Sequence, residues 1–193
     1  MIISHKHKFI FIKSRKTAGS SIQVALAKHC GKDDIITGQY IDGKHDNSQS
    51  AGLNTHIGGE WVKKLYKDKV HEKSFNHPHL PLDVVKNFVQ DTMGKDTWDS
   101  YFKFTFVRNP YEIVVSRYFW ERRGKSFLKD GIVGDCSIEG FREFIKGELS
   151  EYKLDRLHPY MTVNGKLELD FIGRYETLQD DFRDVCKKLN FSE

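Results

Sequence analysis

The chain has 193 residues, 38% hydrophobic and 30% charged, which suits one globular domain spanning 1–193 and leaves little room for a second. Cys30, Cys136 and Cys186 are odd in number and show no CxxC spacing, which argues against a disulfide framework and a zinc ribbon. The net charge of +4 is too small to indicate a nucleic-acid binder, but residues 1–32 hold seven basic side chains and no acid, against 24 basic and 27 acidic in the other 161. Such a local field attracts a multiply charged anion, although a solvated basic terminus has the same composition. The apolar run at residues 9–12 is far short of the ~18 residues of a membrane span, and the opening MIISHKHK lacks the apolar core of a signal peptide. A soluble, cytoplasmic protein is expected.

Residues 9–13, β-branched and aromatic, predict a buried strand. The small, polar stretch 14–19 follows, and 20–29 has helical spacing with Gly31 as its stop. Residues 37–60, rich in glycine and small polar side chains, read as a loop or substrate-facing insertion, and 61–66 as a short helix. Pro81 opens a helix whose apolar residues between 82 and 89 lie on one face. Residues 101–107 are the strongest strand signal, and Pro110 opens a helix running to about Arg123, so the strand-loop-helix unit occurs twice. A helix at 138–145, a strand at 167–172 and a closing helix at 177–189 complete the pattern. Strands alternating with helices predict an α/β fold with a central parallel sheet covered on both faces.

A loop that joins a strand to a helix N-terminus directs backbone N–H groups and the positive end of the helix dipole at one spot. Here Arg15 and Lys16 precede Gly19, and Ser20 and Ser21 add hydroxyls. In the Walker A pattern a lysine follows the last glycine and a Ser or Thr then holds magnesium; here the lysine comes first. That order disfavours a standard ATPase or GTPase and metal-dependent phosphoryl transfer.

Phe11-Ile-Lys-Ser-Arg-Lys-Thr-Ala-Gly-Ser-Ser-Ile22 resembles the 5′-phosphosulfate loop of sulfotransferases that use 3′-phosphoadenosine 5′-phosphosulfate (PAPS), especially the branch acting on glycans. Tyr101-Phe-Lys-Phe-Thr-Phe-Val-Arg-Asn-Pro-Tyr-Glu-Ile-Val-Val-Ser-Arg-Tyr118 is similar to the 3′-phosphate segment of that family. Phe171-Ile-Gly-Arg-Tyr-Glu-Thr-Leu-Gln-Asp-Asp-Phe182 is similar to its C-terminal signature, and the blocks stand in the family's order. The resemblance implies a three-layer fold like that of P-loop nucleotide-binding proteins. It implies that Arg15, Lys16, Thr17, Ala18, Gly19, Ser20 and Ser21 hold the 5′-phosphosulfate, and that Arg108 and Ser116 hold the 3′-phosphate. Position supports the latter pair: Arg108 leaves the C-terminal end of a strand, where open α/β sheets place ligands, and Ser116 lies two turns into the next helix. Arg174, Tyr175 and Glu176 belong to a block that either touches the nucleotide or packs the last helix. Two departures stand out. Arg15 occupies a position where the family usually has proline, and many relatives continue past the third block with elements that help cover the nucleotide, so this is either a minimal version or residues 37–60 and 122–136 supply the cover.

Sulfuryl transfer needs in-line approach, positive charge on the leaving oxygen and a base for the acceptor hydroxyl. Lys16 is the natural partner of the leaving oxygen. Of nine histidines, His79 in His-Leu-Pro-Leu-Asp-Val-Val resembles the catalytic histidine segment of glycan sulfotransferases, with His56 and His77 as the competing choices. A zinc site from His71, His77 and His79 lacks an i, i+4 histidine pair and an accompanying cysteine. Trp120, Arg122, Arg123, Lys125 and Tyr160 are acceptor-contact candidates. The expected protein is a PAPS-dependent sulfotransferase acting on a hydroxyl, on a carbohydrate by resemblance. It releases adenosine 3′,5′-bisphosphate (PAP) and needs no metal, nucleic acid or membrane span. The alternatives are a small-molecule or nucleotide kinase on the same fold, and a non-enzymatic module that binds an anionic glycan or nucleotide.

Overall fold

The computed structural model describes residues 1–31, 33–37, 39–41, 44–46, 79–122, 137–151 and 158–191. In chain order these form β1 (Ile2–Ser4), β2 (Phe9–Ile12), α1 (Gly19–Ala27), β3 (Ile35–Ile36), β4 (Gln39–Ile41) and β5 (Lys44–Asp46). Then come α2 (Leu82–Met93), α3 (Lys95–Ser100), β6 (Phe102–Val107), α4 (Pro110–Arg122) and α5 (Ile138–Glu151). A 3-10 turn at His158–Tyr160, β7 (Thr162–Val163), β8 (Lys166–Leu167), β9 (Phe171–Arg174) and α6 (Leu178–Lys188) follow. The insertion expected at 37–60 holds the antiparallel pair β4–β5; its remaining residues and the helix expected at 61–66 lie outside the described residues.

The main sheet has the order β3-β1-β2-β6-β9. Its core, β2, β6 and β9, is parallel as expected, whereas β1 runs antiparallel to both β2 and β3. Four residues, 5–8, separate β1 from β2, too few for the crossover that a parallel pair needs, so the chain turns back on itself. Ile12 lies opposite Thr105 and Val107 opposite Arg174, which brings the C-terminal ends of β2, β6 and β9 to one edge. Because Ile2 pairs with both Phe11 and Ile36, Met1 and Thr37 reach the same edge.

Apolar layers cover both faces of this sheet, with Lys103 and Thr105 of β6 as buried polar exceptions. Ile10 and Ile12 pack with Leu82, Val85, Phe88 and Trp98 on the side of α2 and α3. Phe9, Phe11, Phe104 and Phe106 pack with Ile22, Leu26, Val185 and Leu189 on the side of α1 and α6. These layers give the three-layer arrangement. Pro81 serves as the N-cap of α2, and its carbonyl accepts the Val85 N–H at 3.1 Å, so the helix begins where the proline places it. Tyr118 of α4 is buried against Phe141 and Phe144 of α5, which packs the two helices together.

The strand expected at 167–172 is two separate elements. Asn164 and Gly165 both have positive φ, 51° and 76°, and turn β7 into β8, an Asn-Gly hairpin that leaves Leu167 exposed on a two-stranded ribbon. The side chain of Asp170 then accepts the Lys103 N–H at 2.7 Å and pairs with the Lys103 ammonium at 3.0 Å, starting β9 afresh beside β6.

Candidate active site

The loop between β2 and α1 carries unusual backbone. Lys16 (φ 62°) and Ala18 (φ 59°) are both left-handed, an arrangement that costs about 1–3 kcal/mol per residue and persists only where surrounding structure enforces it. Alternating handedness turns successive N–H groups toward one side, an anion-binding concavity. Thr17 braces the loop from within: its hydroxyl lies 2.8 Å from the Ser14 hydroxyl, which also donates to the Phe106 carbonyl. The Thr17 side chain is therefore buried, and what this residue can offer a ligand is its backbone N–H. Gly19 is required by close approach, because a Cβ there would sit 2.7 Å from Cγ of Lys13.

Among the described helices, α1 differs at its start. The others of six residues or more each have Asp or Glu in the first turn, whereas α1 has no acid and no side-chain cap, and presents exposed Ser20 and Ser21. Its positive end is left for an external anion. Arg15 is exposed beside it, and the Lys16 ammonium lies 5.4 Å from the ring centroid of Trp120.

On the β6–β9 side of the loop stands Arg108. Its Nη1 donates to the Lys16 carbonyl at 3.5 Å, its Nε to Glu112 at 3.1 Å, and its guanidinium stacks on Tyr175, 3.9 Å from the ring centroid. Arg108 and Glu112 form an ion pair, and that pair orients a guanidinium already anchored to the loop. Glu112, Ser116 and Trp120 recur every four residues on α4, so they share one face. Glu112 reaches the loop through Arg108 and Trp120 through Lys16, which places half-buried Ser116 between them along that face.

The third block holds this arrangement together. Tyr175 N–H donates to the Val107 carbonyl at 2.8 Å, and Glu176 accepts the Asn109 N–H at 2.7 Å, which with Arg108 and Arg174 holds its carboxyl below the usual range. Gly173 makes room for Phe106, whose ring would meet a Cβ at 2.4 Å. Arg174 is exposed at the end of β9, its N–H bonded to Asp181 at 2.5 Å. The stacking of Tyr175 on Arg108 is a contact that sequence reasoning missed.

His79 lies on the other side of the loop, before α2. Its Nδ1 is 2.9 Å from the Lys13 carbonyl oxygen. A carbonyl only accepts, so Nδ1 carries the proton and the lone pair is on Nε2. Burial pushes the imidazole down to about 3; the bond to the Lys13 carbonyl opposes this, and the charges of Lys13, the Met1 amino group and Arg15 add to it. Lys13, also missed from sequence, is only 2% exposed, and burial lowers its ammonium to about 8. His56, His71, His77, Arg123 and Lys125 lie outside the described residues, as does the side chain of Arg122. Tyr160 is buried in the core with Leu80 and Leu82, so it packs there and is no surface contact for an acceptor. Among the described residues no cluster of three His, Cys, Asp or Glu could hold a metal ion, and no helix is long and apolar enough to cross a membrane.

A basic strand-loop-helix turn stands at the C-terminal edge of the sheet's parallel core, with a second strand-loop-helix beside it, the position where open α/β sheets place ligands. The chain belongs to the sulfotransferase family, whose model, described as "Sulfotransferase family", matches residues 1–193. Family membership makes sulfuryl transfer the general class of reaction. An uncharacterized protein of Archaeoglobus fulgidus is 37% identical over 119 residues, which cover 59% of this chain and 85% of the relative. No solved structure matches the chain.

Proposed function

We propose that the protein transfers a sulfuryl group from PAPS to a hydroxyl of a carbohydrate acceptor and releases PAP. The observation that carries the reading is the bond from His79 to the carbonyl of Lys13, the residue that leads into the anion loop. It sets a neutral imidazole directly against the loop that holds the donor's phosphosulfate. The donor, when bound, supplies an activated sulfuryl group on a phosphate that can leave.

The residues present fit such a donor: the start of α1 lacks its own counter-charge, and Lys16 and Arg108 stand on the same loop. The α1 N–H groups with Ser20 and Ser21 bind the 5′-phosphosulfate, and Lys16 opposes the charge that grows on the leaving oxygen. Arg108, steered by Glu112 and Tyr175, meets the 3′-phosphate together with Ser116, while Arg174 lines the same edge. His79 takes the acceptor proton on Nε2. A ring held at about 3 is fully neutral at pH 7 but weakly basic. An anionic donor beside it reverses the sign of the local field and raises its basicity as the acceptor approaches. The resemblance to glycan-modifying relatives and exposed Trp120 beside Lys16 support a carbohydrate acceptor.

The test uses binding alone. PAP should bind at least about tenfold more tightly than adenosine 5′-monophosphate, because charge-assisted hydrogen bonds to the 3′-phosphate contribute roughly 1.5–3 kcal/mol each. Arg108→Ala should erase most of that preference and leave the weaker ligand nearly unchanged. Equal affinity of the wild type for both nucleotides, measured by calorimetry at one salt concentration, would reject the reading and favour a kinase.

A further inference from the structure

The Lys13 side chain has no place in the reading above, yet it is a buried cation at the site. Its backbone carbonyl holds His79, and its stem passes Gly19, the first residue of α1: a Cβ on that glycine would lie 2.7 Å from Lys13 Cγ and 3.4 Å from Cε. The residue thus spans the gap between the base and the helix end that faces the leaving phosphate. The titratable groups that feel its charge are the Met1 amino group just before β1 and His79 before α2, where Arg15 of the loop also acts; none of them is anionic. Among the described residues its ammonium forms no ion pair, whereas the other buried lysine, Lys103, has Asp170 at 3.0 Å and the Trp98 and Tyr101 carbonyls. A buried cation without a counter-charge is costly to keep, and an anionic ligand that enters beside it offsets that cost.

We propose that Lys13 is a second catalytic cation, whose ammonium pairs with the non-bridging oxygens of the sulfuryl group while that group passes from the donor phosphate at α1 to the hydroxyl at His79. This rests on the PAPS reading and extends it: Lys16 serves the leaving oxygen, and Lys13 the group being moved. No bond forms to Lys13 and no proton leaves it; it acts by charge alone. Because burial brings its ammonium to about 8, the charged form is present below that pH and is lost as pH rises through it. His79, at about 3, does not titrate in the same window.

PAPS and PAP differ by this sulfuryl group, so comparing their affinities isolates Lys13 from the rest of the site. Calorimetry at pH 7 and pH 9 on the wild type should show PAPS binding weakening by about tenfold relative to PAP at the higher pH. Lys13→Met keeps the length of the stem and removes the buried charge. It should weaken PAPS by about tenfold at pH 7, leave PAP within about threefold, and abolish the pH effect on their ratio. A PAPS-to-PAP ratio unchanged by the substitution, or a wild-type ratio that is flat between the two pH values, overturns the proposal. The wild-type series needs no variant, so failure of Lys13→Met to fold does not shield the idea. If neither nucleotide binds the wild type, the PAPS reading falls and this one with it; if both bind and only the ratio fails to respond, Lys13 alone is refuted.

Discussion

The two flanks of the anion loop use charge in opposite ways. On the β6–β9 flank the charges are partly exposed and paired: Arg108 with Glu112 and the Tyr175 ring, and the Glu176 carboxylate with the Asn109 N–H. On the β1–β2 flank Lys13 is buried and His79 half-buried, neither forms an ion pair with a carboxylate among the described residues, and both are pushed toward neutrality by desolvation. Paired, solvated groups are cheap to hold, which suits orientation of a nucleotide. Desolvated groups are costly and shifted, which suits reacting atoms. If this contrast is right, changes on the buried flank and at the loop strike rate, and changes on the paired flank strike affinity.

The largest effect is expected at the loop itself. Lys16→Ala should lower kcat by about 100- to 1000-fold and also weaken donor binding, since its charge meets the leaving oxygen in the transition state. Activity without added magnesium, surviving a chelator, would agree; activity restored only by magnesium would point to the kinase alternative. Next comes His79→Ala, expected to cut kcat by about 100-fold while PAP affinity survives. Should His56→Ala abolish turnover and His79→Ala spare it, the buried flank would lose its catalytic role.

A pH measurement separates the flanks without substrate. The folded His79 titrates at about 3 while the unfolded side chain titrates near the ordinary histidine value of 6.5. Between these values the unfolded chain binds a proton that the folded chain does not, so stability falls as pH drops from 6.5 toward 3, by up to about 1.4 kcal/mol per pH unit. His79→Asn should shrink the loss of Tm between pH 7 and pH 5 by a few degrees, read by thermal denaturation. An identical loss in both proteins would mean that the imidazole is solvated. The smallest effect belongs to the paired flank: Tyr175→Leu should weaken PAP about two- to fivefold through loss of the stacking under Arg108, worth about 0.5–1 kcal/mol, with kcat little changed.

Much of this was legible in local sequence. Residues 9–12 are apolar on both faces, 102–107 carry phenylalanine on one, and the segments after them open with Gly19 and Pro110, so two strand-loop-helix units and the position of the loop between β2 and α1 followed from short-range signals. The strand limits at 167–172 did not, because the Asn164-Gly165 turn outweighed the apolar character of the run after it. Strand β1 also escaped, since Ile2–Ser4 is too short to show a period and is recognisable only by its partners on both sides.

The order of residues along the chain determined which side chains could bind an anion: a lysine before a glycine at a helix start, an arginine after a strand, a histidine before a proline-led helix. Tertiary structure decided what each of those groups became. Lys13 and Lys16 are three residues apart in one basic loop and indistinguishable by type, yet one lies under Gly19 with its ammonium brought to about 8, and the other is half-buried against Trp120. Ionisation depends on the water a group loses and the charges it meets, and the neighbours that set these include His79 before α2 and Trp120 of α4, residues distant in sequence that reach the loop only when the fold is assembled.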